Sequence, residues 1–313
     1  MHFFRGLHNT RSFSQGCVLT IGNFDGVHSG HRQVLAKLTA EAQSLGLPAA
    51  VMIFEPQPKE HFDIEGSPAR LTTLAEKIEL LEQQGIDALA CMAFNNRFMS
   101  LSAEDFVKQV LVDGLNVKAL IIGDDFKFGC DRSGDFEYLK QAGQKHGFTV
   151  QDTKTVLQGG MRVSSTEVRA ALEQGDLTQA QVLLGREFAI SGRIAHGQKL
   201  GRTLGVPTAN VILKRHKTPL VGVYAVQVVT SSGTYNGVAN IGMRPTVGAL
   251  VPILEPHLFD FDGDLYGQRL KVVFKQKIRD EKRFNGLDEL TAAIYNDIEK
   301  AKAFFIENNN PTA

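Results

Sequence analysis

The hydrophobic pattern of the chain changes once, near residues 184–188, and this change constrains the fold more than any other feature of the sequence. Before it, continuous apolar runs alternate with segments whose apolar residues recur at helical spacing. After it, short β-prone runs follow one another, separated by Gly, Pro and Ser turns. Because 313 residues exceed what one core usually fills, we predict two domains, residues 1–185 and 186–313.

The first part of the chain has the pattern of an α/β domain. Apolar runs predict five strands, at residues 17–21, 49–54, 88–94, 117–123 and 148–153. Helical spacing is found at residues 34–45 and 74–81, and Ser102 is placed to cap a further helix. Continuous apolar strands that alternate with helices are typical of a parallel sheet covered on both faces.

The second part of the chain has the pattern of a small all-β domain with a terminal helix. Its β-prone runs lie at residues 188–194, 210–213, 222–230, 233–242, 253–261 and 270–274. Their close spacing predicts an antiparallel barrel or a sandwich, and the pattern alone leaves both open. Residues 287–306 then predict one helix at the end of the chain.

Composition and charge point to a cytoplasmic protein. Thirty-four Lys and Arg residues balance 34 Asp and Glu residues, which gives no overall attraction to nucleic acid or to an anionic membrane. Three widely separated cysteines favour a reducing compartment over a disulfide framework. No apolar run approaches the 18 residues of a membrane span. We therefore expect no nucleic-acid or membrane partner, and a monomer or a weak homo-oligomer.

The stretch TIGNFDGVHSGH, residues 20–31, places two histidines three residues apart where a strand gives way to a helix. Helix N-termini carry unpaired N–H groups and partial positive charge, so His28 and His31 suit a phosphate. Gly22, Gly26 and Gly30 would let a ligand approach the backbone closely. A metal would need further ligands, of which only Asp25 is near. Capping or surface roles are the third alternative.

A second motif, VSSTEVR at residues 163–169, again combines hydroxyl groups with a helix start. It places Ser164, Ser165 and Thr166 before the helix, and Arg169 one turn further on. Hydroxyls, backbone N–H groups and a guanidinium suit a triphosphate. Ser and Thr are also ordinary helix caps, so this motif alone is a weak signal.

Together the two motifs resemble the HxGH and ISSTxxR signatures of the nucleotidyltransferase superfamily. The resemblance implies a Rossmann-like domain in which an acceptor phosphate attacks the α-phosphorus of ATP and pyrophosphate leaves. It assigns His28 and His31 to catalysis and Arg169 to the leaving pyrophosphate. The other residues that it assigns to ATP and its phosphates are Gly22, Phe24, Asp25, Gly30, Ser164, Ser165 and Thr166.

The stretch GRTLGVPTANV, residues 201–211, lies between β-prone runs. On a strand, Thr208 and Asn210 would face the same side. Their hydroxyl and amide oxygens are hard, neutral ligands that could complete a Mg²⁺ site together with ATP phosphates. The alternative is an ordinary Pro-Thr turn that leads into a strand.

The order of motifs in the second half is similar to the riboflavin kinase family. The blocks are GRTLGVPTAN, then GVY at residues 222–224, NIGMRPT at 240–246, a Glu followed by HLFDF, and DLYG. The resemblance implies an antiparallel β-barrel with a terminal helix, with Gly201 and Arg202 near ATP and Thr208 and Asn210 on the metal. It makes Glu255 the general base that takes a proton from the ribityl 5′-hydroxyl.

Both halves therefore resemble one family, the bacterial bifunctional riboflavin kinase/FMN adenylyltransferases. The blocks FEPQP (residues 54–58) and GDDFKFGCDRSGD (residues 123–135) also fit, although the family often carries His where this chain has Gln57. The flavin-binding residues implied are Pro56, Pro58, Asp125, Phe126, Phe128 and Arg279. Core packing is the alternative for the two phenylalanines, and a solvated basic patch is the alternative for Arg279.

The resemblance implies two reactions that use ATP and Mg²⁺. The C-terminal module would phosphorylate riboflavin to FMN, and the N-terminal module would join AMP to FMN to give FAD. Alternatives are a chain that retains one activity, a flavin or nucleotide sensor without catalysis, and a nucleic-acid enzyme, since class I tRNA synthetases share an HxGH-type motif. Both motif sets are intact, and no anticodon-type domain follows.

Overall fold

A computed structural model describes residues 1–7, 13–123, 125–153, 157–158, 161–195, 205–246 and 249–309. The chain folds into two compact units. Unit 1 contains residues Met1–Pro68 and Lys77–Ser164, and unit 2 contains Ala69–Glu76 and Ser165–Ala313. The short segment 69–76 therefore groups with the C-terminal part of the chain rather than with its sequence neighbours.

Unit 1 is built on a six-stranded parallel sheet with the strand order β1-β4-β3-β2-β5-β6. Its strands are β1 (His2–Arg5), β2 (Cys17–Ile21), β3 (Ala49–Glu55), β4 (Ala88–Ala93), β5 (Val117–Gly123) and β6 (Thr149–Thr153). The five predicted strands are present, and the parallel α/β sheet is confirmed. The edge strand β1 was not predicted, since four residues with one charge give little periodic signal.

The helices of the α/β region follow its strands. They are α1 (Ser29–Leu45), α2 (Pro58–Phe62), α3 (Leu74–Glu82), α4 (Asn96–Met99), α5 (Ala103–Asp105), a π-helix (Phe106–Val112) and α6 (Phe136–His146). Ser102 caps α5 as predicted, because its hydroxyl accepts a hydrogen bond from the Asp105 N–H at 3.0 Å. A short antiparallel pair, β7 (Leu157–Gln158) and β8 (Met161–Arg162), precedes the second motif.

Unit 2 continues after its short first segment with helices α7 (Ser165–Gln174) and α8 (Leu177–Leu184) and then forms a barrel. The barrel strands are β9 (Ala189–Ala195), β10 (Asn210–Ile212), β11 (Gly222–Val229), β12 (Thr234–Thr246), β13 (Ala249–Leu258) and β14 (Arg269–Arg279). They close in the order β10-β13-β12-β11-β14-β9, and every pairing is antiparallel. The barrel, rather than the sandwich, is therefore the fold of this part.

Helix α9 (Leu287–Asn309) ends the described chain and covers one side of the barrel. Ile298, Ala301 and Phe305 on this helix pack against a buried group that includes Val223 and Val238 of the barrel. The predicted terminal helix is thus confirmed, and the burial of its apolar side chains holds it against the barrel. Within the described residues, no helix combines the length and the apolar character that a membrane span requires.

Candidate active sites

The first candidate site lies where β2 ends and α1 begins. The connecting loop contains two non-glycine residues at positive φ, Phe24 (46°) and Val27 (40°), on either side of Gly26 (84°). Such backbone conformations are rare for residues with a Cβ and concentrate at ligand-binding loops. Because α1 starts at Ser29 at the carboxyl end of a parallel strand, the loop lies where α/β sheets bind ligands.

The two histidines form a stacked pair on this loop. The His28 Nδ1 accepts a hydrogen bond from the His31 backbone N–H at 3.2 Å, so His28 caps α1. The rings stack at a centroid distance of 3.6 Å and an interplanar angle of 16°, and Phe24 contacts His31 at 4.9 Å. His28 is 5% exposed, which excludes a surface role for this residue. Its role as the cap of α1 is confirmed. An accepting Nδ1 places the ring proton of neutral His28 on Nε2, which can donate to a phosphate oxygen.

Gly30 and Gly22 leave space for the rings of His28 and Phe24. A Cβ at Gly30 would lie 3.2 Å from His28 Cε1 and Nδ1, and 3.4 Å from the carbonyl oxygen of Val163. A Cβ at Gly22 would meet the Phe24 ring at 3.2 Å. Phe24 is 3% exposed, and its ring contacts that of His31. Val163, the first residue of the second motif, therefore lies beside Gly30 within unit 1.

We expect Gly30→Ala to slow adenylyl transfer by about 10-fold, because the added methyl group displaces the His28 ring from its capped position. Alanine is a better helix former than glycine, so the thermal stability should not account for the loss. The rate of FAD formation from FMN and ATP measures the effect. The control is Gly286→Ala, where a Cβ would meet nothing within 4 Å. An unchanged rate in Gly30→Ala would contradict this account of the loop.

The metal alternative for the histidine pair lacks the ligands it would need. Among the described residues there is no group of three or more His, Cys, Asp and Glu side chains placed to hold a metal ion. Asp25, the neighbour considered from the sequence, is 3% exposed and lies in the loop itself. The geometry therefore favours phosphate contact at this helix start.

The second motif runs into α7. The sequence analysis placed Ser164, Ser165 and Thr166 before the helix. Ser164 does precede it, but Ser165 and Thr166 are its first two residues. Both positions still lie in the first turn, where backbone N–H groups lack helical partners. Arg169 donates from Nε to the Ala69 carbonyl at 2.6 Å, which fixes the plane of its guanidinium.

The FEPQP block connects β3 to α2 at the carboxyl edge of the sheet. A cis peptide bond joins Glu55 to Pro56, which is exposed, and Pro58 is the first residue of α2. Gln57 is 9% exposed and its backbone N–H donates to Glu60 at 3.0 Å. Within the described part of the chain, its side-chain Nε2 is buried and has no hydrogen-bond partner.

The loop after β5 places its two phenylalanines differently. Phe128 is 7% exposed and contacts Phe106 at 5.0 Å and Tyr138 at 5.9 Å, so it serves the core. Phe126 is half-buried and stacks on Phe128 at 5.6 Å and 22°. Asp125 is exposed on the same loop. Core packing is thus the better account of Phe128, whereas Phe126 presents part of its ring to solvent.

The second candidate site lies on the β12–β13 hairpin of the barrel. Asn240 of β12 pairs directly with Glu255 of β13, which places both side chains on one face. Arg244 lies four residues along β12, on the same face, and its guanidinium contacts the Glu255 carboxylate at 2.5 Å. The sequence motifs gave Arg244 no role. The predicted β-prone run ended at residue 242, whereas β12 continues to Thr246 and so brings Arg244 onto the face of Asn240.

Burial governs the protonation of Glu255. Its side chain is 11% exposed, and desolvation raises its pKa above the ordinary value for a glutamic acid. Arg244 opposes this through its charge and hydrogen bond, as does the Asn240 hydrogen bond, whereas the charge of Glu281 adds to the rise. A carboxylate with a raised pKa is a better proton acceptor, which suits a general base.

We expect Arg244→Met to shift the acidic limb of the riboflavin kinase pH profile to higher pH. Removing the arginine removes the charge that lowers the Glu255 pKa, so the base becomes protonated at a higher pH. The kcat/KM for riboflavin, measured from mildly acidic to mildly alkaline pH, reports the shift, because this ratio reflects the free enzyme. The pH profile of FAD formation is the internal control. A limb that stays in place or moves to lower pH would contradict the assignment.

The Thr208–Asn210 segment lies beside Glu255 in the barrel. The Ala209 N–H donates to the Pro256 carbonyl at 2.9 Å, and His257 Nδ1 contacts the Pro207 carbonyl at 2.8 Å. Strand β10 begins at Asn210, within the predicted run 210–213, and Thr208 precedes it, so the two residues do not alternate along one strand. Pro207 has no N–H with which to extend the ladder. Gly201 and Arg202 lie outside the described residues.

Arg279 ends β14 and holds the terminal helix. Its Nε and one terminal nitrogen donate to the Asp297 carboxylate at 2.8–3.0 Å, and Asp297 is 3% exposed. The guanidinium also lies 5.4 Å from the Phe284 ring centroid. These contacts exclude a merely solvated basic patch and give Arg279 a structural role in joining α9 to the barrel.

Comparison with known proteins identifies the family. A FAD synthetase family model matches residues 10–167, and a riboflavin kinase family model matches residues 184–305. The bifunctional riboflavin kinase/FMN adenylyltransferase of Pseudomonas fluorescens is 55% identical over 304 residues, which cover 97% of either chain. The chain belongs to this family. Its Escherichia coli K12 relative with the same description is 50% identical over 307 residues, 97% of this chain and 98% of that one.

The family fold also has a solved counterpart. A crystal structure described as a macrolide-efflux protein from Streptococcus pneumoniae has a TM-score of 0.80 and 29% sequence identity. The match covers 96% of this chain and 99% of the other. The fold of this bifunctional family member is therefore matched by experiment over almost its whole length.

Proposed function

We propose that this chain makes FAD from riboflavin in two ATP-dependent steps, with residues 1–185 responsible for adenylyl transfer and residues 186–313 for the kinase step. One observation carries the proposal. The chain combines a capped, stacked histidine pair at the edge of a parallel sheet with a desolvated carboxylate on the wall of a closed barrel. The first suits a phosphate that is being transferred, and the second suits a hydroxyl that must lose its proton.

In the kinase step, Glu255 takes the proton from the 5′-hydroxyl of riboflavin. The resulting oxygen attacks the γ-phosphorus of ATP, the bond to the bridging oxygen breaks, and ADP leaves. Burial raises the pKa of Glu255, which prepares it for this role. Asn240 and Arg244, on the neighbouring strand β12, hydrogen-bond the carboxylate and hold it in place. Arg244 is about half exposed. Its guanidinium can therefore leave Glu255 and bind a phosphate group when the substrates bind.

Thr208 and Asn210 are the residues that would hold Mg²⁺ in this step. Both are half-buried, and backbone contacts fix their segment beside β13 at Pro256 and His257. A hydroxyl and an amide oxygen fit an ion that prefers oxygen donors and keeps few protein ligands. When bound, Mg²⁺ neutralises phosphate charge. Gly201 and Arg202 would contact ATP from the preceding segment.

In the adenylyl transfer step, a phosphate oxygen of FMN attacks the α-phosphorus of ATP and pyrophosphate leaves. No protein nucleophile is required, so the protein acts by positioning the reactants and stabilising charge. His28 and His31 donate to phosphate oxygens at the start of α1, where the helix dipole adds positive potential. Ser164, Ser165 and Thr166 bind phosphate oxygens at the start of α7, and Arg169 binds the leaving pyrophosphate.

The flavin of FMN would lie beside the FEPQP block. Pro56 and Pro58 form an apolar edge, Phe126 offers part of an aromatic face, and Asp125 stands on the same loop. The unpartnered Nε2 of Gln57, in the part of unit 1 that the structure describes, is a donor suited to a flavin carbonyl. A buried donor that lacks a partner costs free energy, which a bound ligand would recover.

The proposed setting is the cytoplasm, with small-molecule substrates and no nucleic-acid or membrane partner. The three widely separated cysteines, Cys17, Cys91 and Cys130, suit a reducing compartment. We propose a monomer or a weak homo-oligomer.

The by-products of the two steps provide the test. With riboflavin and ATP the protein should release one ADP for each riboflavin converted, counted as FMN plus FAD. With FMN and ATP it should release one pyrophosphate for each FAD formed. ADP release without either FMN or FAD would contradict phosphate transfer to riboflavin. FAD formed without pyrophosphate would contradict attack at the α-phosphorus.

A further inference from the structure

A buried ion pair in unit 2 is not explained by either reaction as described. Arg215 follows β10 in the barrel, and its terminal nitrogen contacts the Glu76 carboxylate at 2.8 Å. The two side chains are 1% and 7% exposed, so the pair is removed from water. Burying two charges is costly, and pairs of this kind are weak stabilisers when compared with apolar packing. The Nε of Arg215 is also buried without a partner among the described residues. Stability alone therefore gives little reason for an arginine here.

The pair holds one short segment of chain, residues 69–76. Glu76 Oε2 accepts from the backbone N–H of Thr73 at 2.7 Å and from its hydroxyl at 2.8 Å. Glu76 Oε1 accepts from the Ser191 N–H of β9 at 2.7 Å. A second terminal nitrogen of Arg215 donates to the Arg70 carbonyl at 3.1 Å. The segment is thus fastened to the barrel at both of its ends.

The same segment receives Arg169. The Nε of Arg169 donates to the carbonyl of Ala69 at 2.6 Å, one residue before the carbonyl that receives Arg215. The two carbonyls belong to successive peptide groups that are joined at the Arg70 Cα. A contact that fixes the Arg70 carbonyl therefore leaves only the φ and ψ angles of one residue through which the Ala69 carbonyl can move. Residues Ala69–Glu76, Arg169 and Arg215 all belong to unit 2.

We propose that Arg215 and Glu76 are positioning residues for adenylyl transfer, which act by holding the Ala69 carbonyl against the Arg169 guanidinium. The inference rests on the role proposed above for Arg169 at the leaving pyrophosphate. Arg215 lies in the kinase part of the sequence, and the proposal gives it a role in the FMN adenylyltransferase reaction. Neither Arg215 nor Glu76 touches a substrate in this proposal.

A double-mutant cycle tests the proposal in the full-length protein. Arg215→Met should lower kcat for FAD formation by about 10-fold with the KM for FMN unchanged, since a misplaced guanidinium stabilises the leaving group poorly. Arg215→Lys should restore part of the rate. In an Arg169→Ala background, Arg215→Met should cause no further loss, because the group that it positions is absent. Arg193→Met, at an exposed arginine of β9, is the matched control and should leave the rate unchanged.

FMN formation measured on the same samples separates positioning from damage to the fold. A fall in FMN formation equal to the fall in FAD formation, or additive losses in the double variant, would overturn the proposal. If Arg215→Met does not fold, Glu76→Gln replaces it in the cycle and is expected to behave in the same way. A normal rate of FAD formation in Arg169→Ala would overturn the role of Arg169 and this inference with it. A slow Arg169→Ala beside a normal Arg215→Met would overturn this inference alone.

Discussion

Replacing His31 by alanine is expected to lower FAD formation from supplied FMN by about 10²–10³-fold, while FMN formation from riboflavin continues at its normal rate. The ring that is lost stands between His28 and Phe24 at the start of α1, where it would meet transferred phosphate. Its removal takes away one donor and leaves the other histidine without the ring on which it stacks. Separation of the flavins after incubation with FMN, ATP and Mg²⁺ gives the rate.

The kinase activity of the same sample is the first control, because it reports a folded and active barrel. His146→Ala provides the second, since His146 is a half-buried histidine at the end of α6. Loss of both activities in a folded His31→Ala protein would contradict the assignment of His31 to one of two sites. A normal rate of FAD formation would contradict its catalytic role.

Glu255→Gln is expected to have the reverse effect and to lower FMN formation by roughly 10²–10⁴-fold. Glutamine has nearly the same shape and can accept a hydrogen bond, but it cannot take the proton from the riboflavin hydroxyl. Because Glu255 lies within the barrel wall beside Asn240 and Arg244, the substitution leaves the β12–β13 pairing in place. FAD formation from supplied FMN should remain normal.

Glu299→Gln, at an exposed carboxylate on α9, is the matched control for the loss of one charge. A mixture of the His31→Ala and Glu255→Gln proteins should make FAD from riboflavin, since each variant supplies the step that the other lacks. A mixture that accumulates neither FMN nor FAD would show that the two activities are not carried by separable sites.

The sequence predicted the parts of the fold that repeat a periodic pattern. Five continuous apolar runs became five strands of the parallel sheet, and the helical spacing at residues 34–45 lies within helix α1. Strand β1 was missed because its four residues include too few apolar positions to show a period. It lies at the edge of the sheet and pairs with β4. The strand order, in which β1 lies next to β4, follows from contacts between distant residues and has no local signal.

The sites were predicted where neighbours in sequence are neighbours in space. His28 and His31 are three residues apart in the sequence, and their rings stack. The contact of Arg244 with Glu255 depends on the register of a hairpin, which the sequence does not specify uniquely. The Glu76–Arg215 pair joins residues 139 positions apart, so only the folded chain reveals it. Phe128 was ambiguous because an aromatic ring suits both a flavin and a core.

The flavin products of the purified wild-type protein test the central claim most directly. After incubation with riboflavin, ATP and Mg²⁺, samples are taken over time and the flavins are separated. FMN should appear first and FAD should follow from it, because the barrel supplies the substrate of the α/β domain. Accumulation of FMN without any FAD would contradict a chain with two activities, and the absence of both would contradict the proposed function entirely.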